Sequence, residues 1–225
     1  MAKVIFIGAT GTEIGKTYIT CLLLRQLQNQ GYKARALKPV ISGFDPQDMA
    51  TSDTGKLLSA MGEEITLDNA KKISPWRYYD PIPPHRAAQQ TQQPIDIDEL
   101  ENFCQSQNDD DLDFLLIEGA GGIMTPLNYQ YTTLDLIRRL DCSCLLVSGT
   151  YLGTLSHTSS MIACLTQEKI DISGIILSGS VESYGPLENI IEDFKGLFPT
   201  IPHRIVKRQI IPRPDNSQDI SDLLI

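Results

Sequence analysis

Lys3-Val-Ile-Phe-Ile-Gly-Ala-Thr-Gly-Thr-Glu-Ile-Gly-Lys-Thr17 is the stretch that decides the fold. Val4 to Ile7, β-branched and aromatic, reads as a buried strand. It gives way to small residues and then to Gly15-Lys16-Thr17, after which Ile19, Leu22, Leu23 and Leu27 recur at helical spacing. A strand, a small-residue loop and a helix opening on Gly-Lys-Thr form the context of a phosphate-binding loop. Backbone N–H groups of the loop and helix start converge on one space, and the helix dipole favours an anion there. Lys16 can neutralise the outer phosphates of a nucleotide, and the Thr17 hydroxyl can ligate Mg2+. The commoner spacing puts a glycine at position 10. Here Thr10 stands there, flanked by Gly8 and Gly11, so the loop turns in another register.

Working outward, apolar strands alternate with helices. After a helix over Lys16–Gln30, Ala34–Val40 reads as a second strand and 51–61 as helical. The stretch 74–95, rich in Pro, Gln and aromatics, reads as an irregular excursion. A helix at 96–107 starts near Asp96 or Asp98; strand Leu112–Ile117, helix Leu134–Leu140 capped by Thr132 or Thr133, and strand Cys144–Ser148 follow. Helix Leu155–Glu168, strand Ile172–Leu177, helix Pro186–Leu197 and a last strand near Ile205–Ile210 complete the pattern. Continuous apolar strands separated by helices predict a three-layer α/β/α fold with a mostly parallel central sheet, like that of the phosphate-loop nucleoside triphosphatases. With no repeat or linker, one domain over 1–225 is expected. Ligands of such sheets bind beyond the carboxyl ends of the strands.

Asp plus Glu outnumber Lys plus Arg by 28 to 19, a net −9 that argues against broad contact with nucleic acid or an anionic membrane. The five cysteines include no Cys-x-x-Cys pair and lie mostly in apolar contexts, as reduced core thiols do. Four apolar residues before Gly8 are too few for a secretory h-region, and no apolar run reaches spanning length. The expectation is a soluble cytoplasmic protein.

The strand ends carry the chemistry. Leu37-Lys-Pro-Val-Ile-Ser-Gly43 leaves its strand abruptly at Pro39, placing Lys38 and Ser42 on the rim near the phosphate loop, where a lysine can hold a carboxylate, carbamate or phosphate. Asp53, after Ser52 at a helix start, reads as a capping residue or as a second metal carboxylate. Glu118-Gly-Ala-Gly-Gly122 ends a buried strand in an acid, the arrangement that sets a carboxylate on the Mg2+ of a phosphate-loop enzyme. Gly149-Thr-Tyr-Leu-Gly-Thr-Leu-Ser156 leaves another helix N-terminus free for an anion; His157 beside it reads as a packed or capping residue more than as a base. His85 and His203 have no metal-ligand spacing around them.

Together Thr10–Thr17, Lys38-Pro-Val-Ile-Ser-Gly43, Ser52-Asp53, Pro84-His85, Glu118-Gly-Ala-Gly-Gly-Ile-Met-Thr-Pro-Leu127 and Leu152-Gly153 resemble dethiobiotin synthetase in order and spacing. The resemblance covers about 3–157 and is looser beyond. It implies an ATP- and Mg2+-dependent cyclo-ligase of biotin synthesis that joins CO2 to 7,8-diaminononanoate through a carbamate and a carbamic-phosphoric anhydride. By the same resemblance, Lys38 and Lys16 are catalytic and Thr17, Asp53 and Glu118 hold the metal. Glu13, Ile14, Gly15, Lys16, Thr17, Tyr18, Asp53, Glu118, Gly119, Ala120, Gly121, Pro212 and Arg213 contact the nucleotide. Ser42 meets the substrate, and Tyr151, Leu152 and Gly153 receive its carboxylate across the interface of a homodimer. The rival is a nucleotide-dependent switch or partitioning-type ATPase without ligase activity. Its phosphate loop needs an early second lysine, and none lies between Lys3 and Lys16.

Three departures from the family pattern stand out. Ala9-Thr-Gly-Thr12 replaces Gly-Thr-Asp-Thr, moving the turn to Gly11; Ser178-Gly179 replaces the Asn-Asp that reads adenine; and Arg213 stands where an aromatic residue is usual. Looser base selectivity than the family's is expected, so turnover with GTP and CTP should approach that with ATP; a strong preference for ATP contradicts it.

Overall fold

The opening run forms β1 (Lys3–Ala9) of the computed structural model, which describes residues 1–207 and 219–225. Then come α1 (Lys16–Asn29), β2 (Ala34–Leu37), β3 (Val40–Ser42), a 3-10 turn (Met49–Thr51), α2 (Asp53–Met61), α3 (Leu67–Ile73), β4 (Trp76–Tyr78) and α4 (Pro84–Thr91). The chain continues through α5 (Ile97–Ser106), β5 (Phe114–Glu118), α6 (Thr133–Leu140), β6 (Ser143–Ser148), α7 (Thr154–Gln167), β7 (Ile172–Ser178), α8 (Leu187–Leu197) and β8 (His203–Val206). A 3-10 turn, Ser221–Leu223, lies near the end.

Six strands form one parallel sheet in the order β2-β5-β1-β6-β7-β8. Such a sheet must be covered on both faces, and β7 shows how. Ile176 packs into the main core, whereas Ile175 and Leu177 pack with Ile190, Phe194 and Phe198 of the α8 region. The chain builds outward to β2 on one side of β1 and to β6, β7 and β8 on the other, so the direction of winding reverses beside β1. Register then fixes the rim: Ile7 stands beside Glu118, and Leu37 beside Ile117. The residue after β2 and the last residue of β5 are thereby neighbours.

Several expectations change here. Ala34–Val40 is not one strand. Pro39 has no N–H to give, the Lys38 amide bonds to the Ile73 carbonyl, and Val40–Ser42 pairs instead with β4 in a separate two-stranded sheet. The stretch 74–95 is correspondingly more regular than its composition suggests, holding β4 and α4, and α3 precedes it. The last strand begins at His203, and positions 208–210 of the expected span lie outside the described residues. Asp96 and Thr132 cap α5 and α6 as expected, Thr132 in a reciprocal box with Asp135. All five thiols are free. Among the described residues, no helix is long and apolar enough to cross a membrane.

The start of α2 is held tightly. Ser52 Oγ accepts the Gly55 amide at 3.0 Å, and a Cβ on Gly55 would lie 2.0 Å from the Met49 carbonyl oxygen. Gly55→Ala should therefore cost about 1–3 kcal/mol by overpacking. Thermal melts should show it as a fall of roughly 2–4 °C per kcal/mol for a chain of this size; an unchanged melting temperature contradicts the packing described.

Candidate active site

The phosphate loop joins β1 to α1 across the end of β6, the Thr10 amide bonding to the Val147 carbonyl. Its left-handed residues are Glu13 (φ 58°) and Gly15 (φ 101°), so the expected turn at Gly11 is made two and four residues later. Gly15 is required twice over. Its φ suits glycine, and a Cβ there would come within 2.6 Å of Ser178 Oγ at the end of β7. Glu13 is exposed, Ile14 and Tyr18 pack at the edge of the core, and Lys16 is buried with Nζ 3.2 Å from the Gly11 carbonyl oxygen. Burial first, then the neighbouring Lys38 charge, lower the Lys16 ammonium to about 8, with Glu118 and Asp53 pulling the other way.

Lys38 was expected on the rim; it is buried. Its Nζ donates to Glu118 Oε1 at 2.7 Å and to the Gly119 carbonyl at 2.9 Å, and lies 3.5 Å from Asp53 Oδ2. Burial acts to lower its pKa, but Glu118 and Asp53 outweigh that and hold the ammonium above its ordinary 10.5. Asp53 is likewise pushed up by burial, yet the Lys38 ammonium, with the Thr17 hydroxyl close by, keeps it below its usual 3.8. Asp53 is not the cap of α2. Ser52 is, which leaves the Asp53 carboxylate free to face Lys38.

Glu118 is fully buried and fully engaged: Thr17 Oγ1 donates to Oε1 at 2.7 Å and Thr20 Oγ1 to Oε2 at 3.0 Å. Lys16, Thr17, Lys38, Asp53 and Glu118 thus form one cluster of alternating charge. Thr20 escaped the sequence reading, although it lies three residues after Thr17 on the same helix face. After Glu118, a Cβ on Gly119 would strike Phe6, and Gly121 has φ 64°, so both glycines answer to the backbone's path. Ala120 packs at the edge of the core.

Ser42 ends β3 with its hydroxyl buried and without a partner among the described residues. Tyr151, Leu152 and Gly153 are not part of the charged cluster. They form the rim at the end of β6, with Tyr151 Oη 2.8 Å from His157 Nδ1, Leu152 87% exposed, and Gly153 left-handed at the start of α7. The loop is fastened from beneath by hydroxyls that its composition did not flag. Ser148 Oγ meets Thr154 and Thr158 at 2.8 and 2.7 Å, and Thr150 Oγ1 meets Ser183 Oγ at 2.6 Å. Pro212 and Arg213 lie outside the described residues.

A glycine-bearing loop between the central strand and its helix, a buried lysine within it, and a carboxylate at the neighbouring strand tip define a phosphate-loop nucleotide-binding protein. Solved structures agree on the fold. The septum site-determining protein MinD with Mg-ADP from Pyrococcus horikoshii superposes at TM-score 0.59 and 17% identity, covering 93% of this chain and 82% of that one. Chloroplast FtsY from Physcomitrella patens gives 0.59 and 16%, over 100% and 65%.

The model of the AAA-domain family matches residues 3–211. Relatives named ATP-dependent dethiobiotin synthetase BioD include those of Acidiphilium cryptum (42% identical, 77% of this chain and 78% of the relative) and Francisella tularensis subsp. holarctica (34%, 86% and 89%). The chain belongs to the dethiobiotin synthetase family, and is an ATP-dependent ligase of biotin biosynthesis.

Thr20→Val keeps the side-chain shape but leaves Glu118 Oε2 with no donor among the described residues. It should destabilise the chain by about 1–3 kcal/mol, the cost of an unsatisfied buried acceptor. Urea unfolding should show a lower midpoint with unchanged slope; an unshifted midpoint contradicts the bond.

Proposed function

We propose that this chain, acting as one domain within a cytoplasmic homodimer, closes the cyclic urea of dethiobiotin from 7,8-diaminononanoate and CO2 with cleavage of ATP. The observation that carries this reading is Lys38: a buried ammonium in the same charged cluster as Lys16 of the phosphate loop, set between two carboxylates. A switch needs no such group facing its terminal phosphate. An acceptor that must be held as an anion does.

One substrate amine attacks CO2, forming a C–N bond and releasing a proton. Lys38 and Ser42 hold the resulting carbamate by charge and hydrogen bonding. A carbamate oxygen then attacks the γ-phosphorus and the bond to ADP breaks. Lys16, kept in a water-poor loop, faces the charge that develops there. The second amine attacks the carbamoyl carbon, the C–O bond to phosphate breaks, the departing phosphate takes up the amine's proton, and the ring closes with both reacting groups on one chain.

Thr17, Asp53 and Glu118 would hold Mg2+. They offer only oxygen donors, the set that hard cation takes, and Lys38 Nζ already marks a cation's place between the two carboxylates. Among the described residues no group of three or more His, Cys, Asp or Glu comes together. A bound Mg2+ would complete its shell with phosphate oxygens and water, and when bound it supplies charge neutralisation. Glu13–Tyr18 and Gly119–Gly121 line the nucleotide. Tyr151, Leu152 and Gly153 receive the substrate carboxylate from the second subunit.

The test is phosphate release with diaminononanoate and bicarbonate. Wild type should require both, and Lys38→Ala should lose turnover roughly a hundredfold while still binding nucleotide. Because that variant strips a buried carboxylate of its cation, its folding is checked by melting with Mg-ATP present. Phosphate release indifferent to the diamine, or a folded Lys38→Ala variant of wild-type turnover, defeats the reading.

A further inference from the structure

Four buried side-chain atoms among the described residues have no hydrogen-bond partner: Thr10 Oγ1, Arg35 Nε, Ser42 Oγ and His85 Nδ1. A buried polar atom left unpaired costs about 1–3 kcal/mol, so its retention calls for an explanation. Thr10 belongs to the phosphate loop and Ser42 to the proposed carbamate site. Arg35 lies within β2, opposite Leu115, away from the strand ends. His85 is the one on which the proposed reaction has not drawn.

Its position is strongly determined. Pro83 and Pro84 open α4 with restricted backbones, and His85 follows as the second helical residue. α4 packs on β3 and β4, and the turn leading to it is pressed against the end of β3, where a Cβ on Gly43 would lie 3.3 Å from Pro81. From the other side, Tyr129 meets the His85 ring edge-on, centroids 5.5 Å apart. Tyr129 lies on the segment that follows Glu118, and its hydroxyl donates to Gln89 Oε1, one turn further along α4. Asn128 Nδ2 bonds the Ile95 carbonyl, tying the same two segments together again. His85 therefore stands where the strand end bearing Ser42 meets the segment that begins at Glu118.

We propose that His85 contacts the substrate, its Nδ1 accepting a hydrogen bond from the amino group of the diamine that closes the ring. The proposal rests on the ligase reading above. A neutral imidazole protonated at Nε2 presents a lone pair at Nδ1, which needs a donor. The bound substrate's donors are its free amine and the one N–H that the carbamate keeps, since its carboxylate and the carbamate oxygens are acceptors. Lys38 and Ser42 take the carbamate end, leaving the free amine for His85. Held in this way, the amine is aimed at the carbamoyl carbon, which favours closure over loss of the anhydride to water.

The experiment measures KM for diaminononanoate and for ATP separately in the full chain and in His85→Ala and His85→Asn. Asparagine is chosen because its side-chain oxygen falls near the place of Nδ1. His85→Ala should raise the diamine KM roughly tenfold, with the ATP KM within a factor of two, the loss of one hydrogen bond to a substrate. His85→Asn should restore most of the difference. An unchanged diamine KM, an equal rise for both substrates, or an Asn variant no better than Ala overturns the proposal. So does a diamine-induced thermal shift, measured with a non-hydrolysable ATP analogue, that is as large in His85→Ala as in wild type. Wild-type enzyme inert to the diamine instead overturns the ligase reading itself.

Discussion

The ion pair between Lys38 and Glu118, 2.7 Å apart with both side chains almost wholly out of water, is the constraint that organises this end of the molecule. As a source of stability it is poor. Removing two charges from water costs several kcal/mol for each, and an apolar pair of similar volume often does as well. Yet once the pair is built, losing one partner strands the other, at about 3–5 kcal/mol. The fold meets that demand by surrounding Glu118 with donors from α1 and setting Asp53 on the far side of Lys38. The result is a nearly neutral cluster of two ammoniums and two carboxylates. Such a cluster can redistribute its charges when an anionic nucleotide arrives.

That cluster explains Lys16 as well. A phosphate-loop lysine in open solvent would keep its ordinary pKa; here burial and the second ammonium bring it to about 8. A nucleotide's phosphates offset both effects at once by supplying the negative charge that the desolvated ammonium lacks. In the proposed reaction the same repulsion keeps the two lysines apart, one for the phosphates and one for the carbamate, so that a single anion cannot satisfy both.

The alternation of strands and helices, and the phosphate loop, were legible because they rest on local pattern: β-branched runs, helical periodicity, and Gly-Lys-Thr at a strand-to-helix junction. What escaped reading depends on register and on partners distant in sequence. Nothing near Lys38 announces its burial; that follows from Leu37 lying beside Ile117, which places Glu118 within reach. Asp53 and Ser52 compete for one cap, and composition does not say that serine wins. Residues 74–95 looked irregular because β4 is only three residues long and is stabilised by pairing with β3, not by any pattern of its own. Gly11 was a reasonable place for the turn; Glu13 takes the left-handed conformation instead, a strain the surrounding loop must hold.

The break between the two sheets gives the arrangement its logic. Up to Leu37 the backbone belongs to the large sheet, whose strand tips carry the phosphate loop and Glu118. From Val40 it belongs to the small one, which carries Ser42 and supports α4. Lys38 and Pro39 are the only residues between them. Proline ends the first ladder by lacking a donor, and the Lys38 amide, turned aside to the Ile73 carbonyl, commits the chain to the second. A lysine at that joint is the one side chain that both sheets position. In the proposed reaction a phosphate held by one sheet is joined to an acceptor held by the other, and the group serving the transferred atoms stands where the two supports meet. One residue earlier, at the place of Leu37, the side chain belongs to β2 alone and is packed in the core.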